Sequence, residues 1–409
     1  MKIWLADLTH TQQTIASDVI PAGVGMIAEY ALTKVPEISD VRLFKYPEEL
    51  ARAFSKEQPH LIGFSNYCWN SALSLSFAKE IKRQFPSVTT VVGGPHFPAD
   101  AKEQEVVLRS VPWVDYYVSR EAEHAFASLL RALIDADFEK SRLPPNLPNL
   151  SFLDGAGKVH SSPKVERILD LTLIPSPYLS GRLDEFFDGR LLPVIQTARG
   201  CPFTCTFCTE GLSYWNKVRH KTADVCHQEI LYIAEKLHQL PKDKRRTDLL
   251  IADSNFGMFK EDIETCKVIA EVQDRFEYPK YINVATGKNK KERILEAASL
   301  VRGAMKFAGS VQSLDPAVQE NIKRKNISAD QIMDMAIKSS EIGANTYSEV
   351  ILGLPGDSLD AHFRTLETLV DSGFNTICMY TLMMLTGTEM GTEAVRRQYG
   401  MQVRYRVIP

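Results

Sequence analysis

Three cysteines crowd the stretch Arg199-Gly200-Cys201-Pro202-Phe203-Thr204-Cys205-Thr206-Phe207-Cys208. Their spacing is Cys-x3-Cys-x2-Cys. Four cysteine thiolates close a [4Fe–4S] cube. Three leave one iron open to a small molecule, and an open iron is a place for chemistry. The blander readings fit less well. A structural zinc site wants four ligands, commonly in two pairs. The other cysteines, Cys68, Cys226, Cys266 and Cys378, are scattered singly, and His220 and His227 form no matching pair. Buried structural cysteines rarely come as a tight triplet. A disulfide framework is not expected in a chain of 409 residues with 7 cysteines and no secretory signal. The triplet is read as an iron–sulfur site, and the chain as an enzyme.

The elements that must position such a loop show in the alternation of apolar and amphipathic stretches. Residues 1–135 carry strand candidates at Ile3–Leu8, Val41–Tyr46, Leu61–Ser65, Thr90–Val92 and Tyr116–Ser119. Helical stretches such as Ser71–Phe85 and Glu121–Ile134 lie between them. This βαβ rhythm predicts a doubly wound parallel sheet, whose ligands sit at the carboxyl ends of its strands. Two strand ends stand out: Gly93-Gly94-Pro95-His96, where small residues let a backbone approach a flat ligand, and Ser65-Asn66-Tyr67-Cys68-Trp69. On spacing alone, either is a tight strand-to-helix turn with no ligand. Residues 136–192 are proline-rich and read as a linker, with a hairpin around Asp154-Gly155-Ala156-Gly157. From 193 to 390 the alternation resumes, with strands at Val194–Thr197, Leu249–Ala252, Ile282–Ala285, Lys306–Val311, Ser348–Leu352 and Thr376–Leu382, and helices including Ala223–Leu240, Lys291–Val301 and Ala329–Ile342. Six βα units predict an open six-stranded (β/α)6 barrel. The cysteines follow its first strand, at the catalytic end of such barrels. Residues 391–409 read as the start of a truncated C-terminal extension.

Composition narrows the class. The length suggests two domains. A net charge of −3 argues against a general nucleic-acid binder. No apolar run reaches the ~20 residues that span a bilayer, and Met1-Lys2-Ile3-Trp4-Leu5-Ala6-Asp7 reads as a buried strand, not a signal peptide. A cytoplasmic location, with no membrane and no nucleic-acid partner, is expected. The basic stretches Lys242–Arg246 and Lys288–Arg293 read as solvated loop and helix-start residues.

The triplet with Phe207 before its last cysteine resembles the radical S-adenosylmethionine superfamily. With the N-terminal region, the Gly93-Gly94-Pro95-His96 loop and Leu173-Ile174-Pro175-Ser176-Pro177-Tyr178, almost the whole chain resembles the cobalamin-binding subgroup of that superfamily. The resemblance implies an α/β chain in which a Rossmann-like cobalamin domain precedes a radical SAM barrel. It implies a [4Fe–4S] cluster on Cys201, Cys205 and Cys208, whose open iron takes the amino and carboxylate groups of S-adenosylmethionine. Cofactor-binding roles fall on Thr9, Ser65, Asn66, Gly93, Gly94 and Pro95 in the first domain. In the barrel they fall on Phe207, Asp253, Lys288, Gln312, Ser313 and Glu349. No catalytic side chain is assigned.

Each barrel position has a plain structural alternative: Asp253 as a helix N-terminal residue, Gln312 and Ser313 as caps of the helix near Pro316, Glu349 as an ion-pair partner. The chain departs from the wider pattern twice. Asp253-Ser254-Asn255-Phe256 stands where the superfamily has Gly-Gly-Glu. Asp7-Leu8-Thr9-His10 replaces the Asp-x-His-x-x-Gly motif that supplies a cobalt ligand, so His10 is not assigned to cobalt. Transfer-RNA methylthiotransferases share the barrel, but their three additional N-terminal cysteines are missing here.

The expected function is a cobalamin-dependent radical SAM methyltransferase, using methylcobalamin to methylate an unactivated centre of a natural-product-like small molecule. Its electron donor would be a flavodoxin or ferredoxin. The alternatives are a non-methylating cyclisation or ring rearrangement with the same cofactors, and a cobalamin sensor.

Overall fold

The computed structural model describes residues 1–12, 15–162, 166–287, 289–325 and 345–404, together with Gln331 and Asp334. The chain divides into two compact units, Met1–Leu191 and Leu192–Pro409.

The first unit runs β1 (Lys2–Ala6), α1 (Ala22–Lys34), β2 (Asp40–Phe44), α2 (Pro47–Phe54), β3 (Leu61–Ser65), α3 (Ser71–Gln84), β4 (Thr89–Gly93), α4 (Ala101–Ser110), β5 (Tyr116–Val118), α5 (Glu123–Asp135), β6 (Leu150–Leu153) and β7 (Val159–Ser161). The strands form one sheet ordered β2-β1-β3-β4-β5-β6-β7. The first five are parallel, and β6 and β7 are antiparallel. Every residue of β3, Leu-Ile-Gly-Phe-Ser, is buried. A continuous apolar run of this kind belongs to a strand with helices on both of its faces. Trp4, Ile62, Phe64 and Val92 form the centre of one such core layer. Pro47 opens α2, where its missing N–H costs nothing. The Asp100 side chain caps α4 by accepting from Lys102 N and Glu103 N. β1 has β2 on one side and β3 on the other, so the winding reverses there and opens a crevice at the strands' carboxyl ends.

One expectation changes here. The segment read as a linker does form its hairpin, but β6 pairs with β5 and extends the sheet. The residues as far as 191 belong to the first unit. Proline content signalled a break in helix and strand, while the pairing partner, distant in sequence, carried no local signal.

The second unit contains β8 (Val194–Ile195), β9 (Ala198–Arg199), β10 (Arg219–His220), α6 (Ala223–Gln239), β11 (Asp248–Phe256), α7 (Lys260–Phe276), β12 (Tyr281–Thr286), α8 (Lys291–Leu300), β13 (Phe307–Ala308), α9 (Pro316–Asn321), β14 (Thr346–Leu352), α10 (Leu359–Asp371), β15 (Thr376–Thr381) and α11 (Glu393–Gln398). Strands β8, β11 and β12 form one parallel sheet, and β13, β14 and β15 another. The sheets meet through a parallel bridge between Ile282 and Met305 and through Ala308 N donating to Thr286 Oγ1 at 3.1 Å. The parallel strands thus follow one another in chain order, each crossover carrying a helix where the residues are described. The helix expected over Ala329–Ile342 lies outside the described residues apart from Gln331 and Asp334. Among the described residues no helix is long and apolar enough to cross a membrane.

Candidate functional site

The cysteine loop leaves β9 and is tied to several separated parts of the second unit. Gly200 makes its first bend at φ +113°, and a Cβ there would lie 2.7 Å from the carbonyl oxygens of Trp215 and Lys217. Cys201 N donates to Trp215 O (2.9 Å), Thr206 N to Ile322 O (3.1 Å) and Met390 N to Thr206 O (2.9 Å). Gly211 packs so closely on the Cys205 carbonyl that any side chain would collide with it. Cys201 and Cys205 are buried, and Cys208 is half-buried. All three line one cavity of about 750 Å³.

Among the described residues no three His, Cys, Asp or Glu side chains gather to hold a single metal ion. A cube asks for something different, one thiolate at each of three separate irons. Burial, with the neighbouring thiols adding to it, pushes Cys208 up to about 11. Iron binding would draw off that proton. The donor set and its shared cavity fit a cluster held by three corners.

The cavity runs along the strands, from Ile282, Thr346 and Thr376 near the amino ends of β12, β14 and β15 to Ser254 of β11, Thr286 and Gly287 at the carboxyl end of β12, and the loop after β13. Phe207, Ser254, Gln312, Arg324 and Glu349 line it. Phe207 also packs beside the Val318, Ile322 and Leu354 core. Glu349 accepts a hydrogen bond from Ser310 Oγ at 2.7 Å, and Gln312 sits at φ +65° with its N–H on the Glu349 carbonyl. Ser254 donates to Glu210. Lys288 lies outside the described residues.

Two expected ligand residues, Asp253 and Ser313, do not line the cavity. Asp253 is buried, and its Oδ1 accepts from Thr197 N (2.9 Å) and Ala198 N (3.0 Å), while Oδ2 accepts from Thr197 Oγ1. It braces the turn between β8 and β9 and does not line the cavity. Burial raises its carboxyl to about 6. Ser313 Oγ accepts from Asp315 N (3.2 Å), and it is Asp315 that caps α9. Asn255, two residues beyond Asp253, meets the cysteine loop instead, with Nδ2 donating to Cys201 Sγ at 3.2 Å. Its Oδ1 is buried with no protein partner. Arg324 was not foreseen. It is buried, with Nη1 directed at Cys205 Sγ (3.9 Å) and Nη2 donating to Ser310 O. Its flanks, Lys323 and Lys325, are exposed, so the run reads as solvated, and nothing local marks the middle residue as buried.

In the first unit, the carboxyl ends of β1, β3 and β4 carry their own polar network. Asp7 accepts from Ser65 Oγ (2.5 Å) and from buried Lys45 Nζ (2.9 Å). Asn70 Nδ2 donates to Ser65 Oγ (2.9 Å) and Leu8 O (3.2 Å). Asn66 Nδ2 donates to Tyr117 Oη (2.9 Å) and His96 O (3.0 Å). Its Oδ1 is buried and has no protein partner, a feature that suits a ligand bearing N–H or O–H donors. Thr9 is buried and accepts from Ser17 N (2.9 Å), whereas His10 is exposed. Gly94, at φ +139°, approaches the Asn66 backbone: a Cβ there would lie 2.6 Å from Asn66 O. Its lack of a side chain therefore serves loop-on-loop packing. Pro95 is exposed beside it. An open strand end with one orphaned acceptor fits a cofactor rich in amide donors, as cobalamin is.

Residues 11–130 match the model of the B12-binding domain. The chain is 29% identical over 355 residues to the cobalamin-dependent radical SAM methyltransferase TokK of Streptomyces tokunonensis, covering 84% of this chain and 50% of that one. It is 28% identical over 400 residues to the 2-(S-pantetheinyl)-carbapenam-3-carboxylate methyltransferase of Streptantibioticus cattleyicolor, covering 94% and 56%. The chain thus spans about half the length of these curated relatives. Its fold is similar to that of the radical S-adenosylmethionine methyltransferase TsrM of Kitasatospora setae, solved with cobalamin and a [4Fe–4S] cluster bound. That match has a TM-score of 0.73 at 14% identity, over 98% of this chain and 79% of that one.

Proposed function

We propose that this chain, which belongs to the cobalamin-binding subgroup of the radical S-adenosylmethionine enzymes, carries the machinery of a methyltransferase acting on an unactivated centre of a natural-product-like small molecule. The observation that carries this reading is one cavity lined by Cys201, Cys205 and Cys208 together with Gln312 and Glu349, in a chain whose other unit matches a B12-binding domain. A bound cluster would supply the electron that cleaves S-adenosylmethionine, and bound cobalamin would carry the methyl group. The three thiolates would hold the cluster. Glu349, partly exposed to the cavity and fixed by Ser310, could accept from the ribose hydroxyls or the methionyl ammonium of bound S-adenosylmethionine. Asp253 keeps the loop before Cys201 in place. Asn66, whose buried Oδ1 has no protein partner, would offer that oxygen to an amide donor of bound cobalamin. The electron would come from a one-electron donor of the flavodoxin or ferredoxin kind.

The relatives' names support a natural-product-like substrate. Anaerobic reconstitution with iron, sulfide and hydroxocobalamin, followed by S-adenosylmethionine labelled in its methyl group, tests the reading on candidate substrates. Both 5′-deoxyadenosine and labelled product are expected. Label in the product without deoxyadenosine removes the radical step. Deoxyadenosine with unlabelled product replaces methylation by a cyclisation or rearrangement.

A further inference from the structure

The three cysteine sulfurs receive unequal partners. Cys201 Sγ accepts from the neutral amide of Asn255 at 3.2 Å. Cys205 Sγ faces a guanidinium nitrogen of Arg324 at 3.9 Å. Cys208 lies beside the backbone N–H and the carboxylate of Glu210, the carboxylate being held by Ser254 Oγ. Both side-chain donors are buried and neither can swing freely. Asn255 lies at the end of β11, and a second nitrogen of Arg324 is anchored on the Ser310 carbonyl.

We propose that Asn255 and Arg324 are positioning residues that set the reduction potential of the cluster held by the triplet, Arg324 contributing the larger share. The inference rests on the functional reading above. Reduction adds one electron, taken from a one-electron donor, and therefore one negative charge, with no proton required. N–H donors aimed at ligand sulfurs stabilise that added charge and raise the potential. A fixed positive charge does so more strongly than a neutral amide, and a buried site screens it little. A role confined to packing predicts something else: Asn255 would only fill space beside Cys201, and Arg324 would only tie Ser310 to the cysteine loop.

The test is an EPR-monitored redox titration of the reconstituted full chain without S-adenosylmethionine. The proteins compared are the unsubstituted chain, Asn255→Leu, Arg324→Gln and Arg324→Lys, each with iron and sulfide content measured. At the midpoint of the unsubstituted protein, Arg324→Gln is expected to lower the ratio of reduced to oxidised cluster by about tenfold or more, ~59 mV for a one-electron couple. Asn255→Leu should lower it by a smaller factor, and Arg324→Lys, which keeps the charge, by less than Arg324→Gln. Unchanged midpoints in Asn255→Leu and Arg324→Gln at full cluster content overturn the inference. If Arg324→Gln fails to load a cluster, the decision passes to Asn255→Leu, and an unchanged midpoint there at full cluster content overturns the inference. An unsubstituted protein that loads no cluster defeats the functional reading instead.

Discussion

A methyl group on Gly94 would sit 2.6 Å from the Asn66 carbonyl oxygen, on a backbone already at φ +139°. Both terms oppose a side chain: the conformation is close to glycine-only, and the collision is with main chain that has nowhere to go. Gly94→Ala is expected to destabilise the protein by about 2–3 kcal/mol, read as a lower urea midpoint of unfolding. Because the displaced residue is Asn66, cobalamin should also be retained less well, which gel filtration with absorbance detection would show. The cysteines behave differently. Replacing any one of Cys201, Cys205 or Cys208 by alanine is expected to abolish bound iron and deoxyadenosine formation while leaving secondary structure unchanged by circular dichroism. At this scale, legibility followed chemistry. The thiol triplet has one dominant use and could be read directly. Asp253, Ser313 and Arg324 could not, because a polar residue near a strand end does not announce which way its side chain turns. Asp253 turned to backbone N–H groups, Ser313 to a neighbouring turn, and Arg324 inward from a run of exposed lysines.

The turn between β8 and β9 shows how an element carries a site it does not touch. Asp253, on β11, supplies the acceptors for Thr197 N and Ala198 N, and the chain then runs through Arg199 and Gly200 into Cys201. Asp253→Ala leaves two buried N–H groups without partners, a loss of about 1–3 kcal/mol for each orphaned group. Asp253→Asn keeps an acceptor oxygen and should be far milder. The two substitutions separate further with pH. Burial raises the Asp253 carboxyl to about 6 from an unfolded value near 3.9. Its contribution is therefore fully present below the unfolded value and is lost as pH rises through 6, by up to about 3 kcal/mol. Asp253→Asn removes this dependence. Relative to the unsubstituted protein, it should be more stable at pH 8 than at pH 4, as parallel urea titrations would show. Equal offsets at both pH values would mean that Asp253 titrates normally. The elements themselves were largely legible. Buried parallel strands write continuous apolar runs, so β3 and β4 stood out, while β11 and β14 showed through alternation of buried and partly exposed positions. The β9–β10 pair, two residues on each side, was too short to leave a pattern. The edge hairpin β6–β7 was seen, but its pairing to β5 is a tertiary fact with no local trace.

Across the molecule, the two sets of polar residues belong to different cores. The Asp7, Ser65, Asn66 and Asn70 network closes within Met1–Leu191, and the cysteine loop is tied to Trp215, Ile322 and Met390 within Leu192–Pro409. Each should therefore fail alone. Cys205→Ala, which removes a cluster ligand, is expected to retain cobalamin with the affinity of the unsubstituted protein. Gly94→Ala, which wedges Asn66 from its place, is expected to load iron and sulfide in full while binding cobalamin several-fold more weakly. The measurement is a paired one on each purified variant: iron and sulfide content after reconstitution, and a spectroscopic titration with hydroxocobalamin. Two-state linkage fixes the reasoning, since a ligand can stabilise only the structure whose folding forms its site. A Cys205→Ala protein that loses cobalamin in parallel with its iron would mean that the units fold as one cooperative whole. The residue-level assignments would then have to be re-derived from a shared network spanning both units.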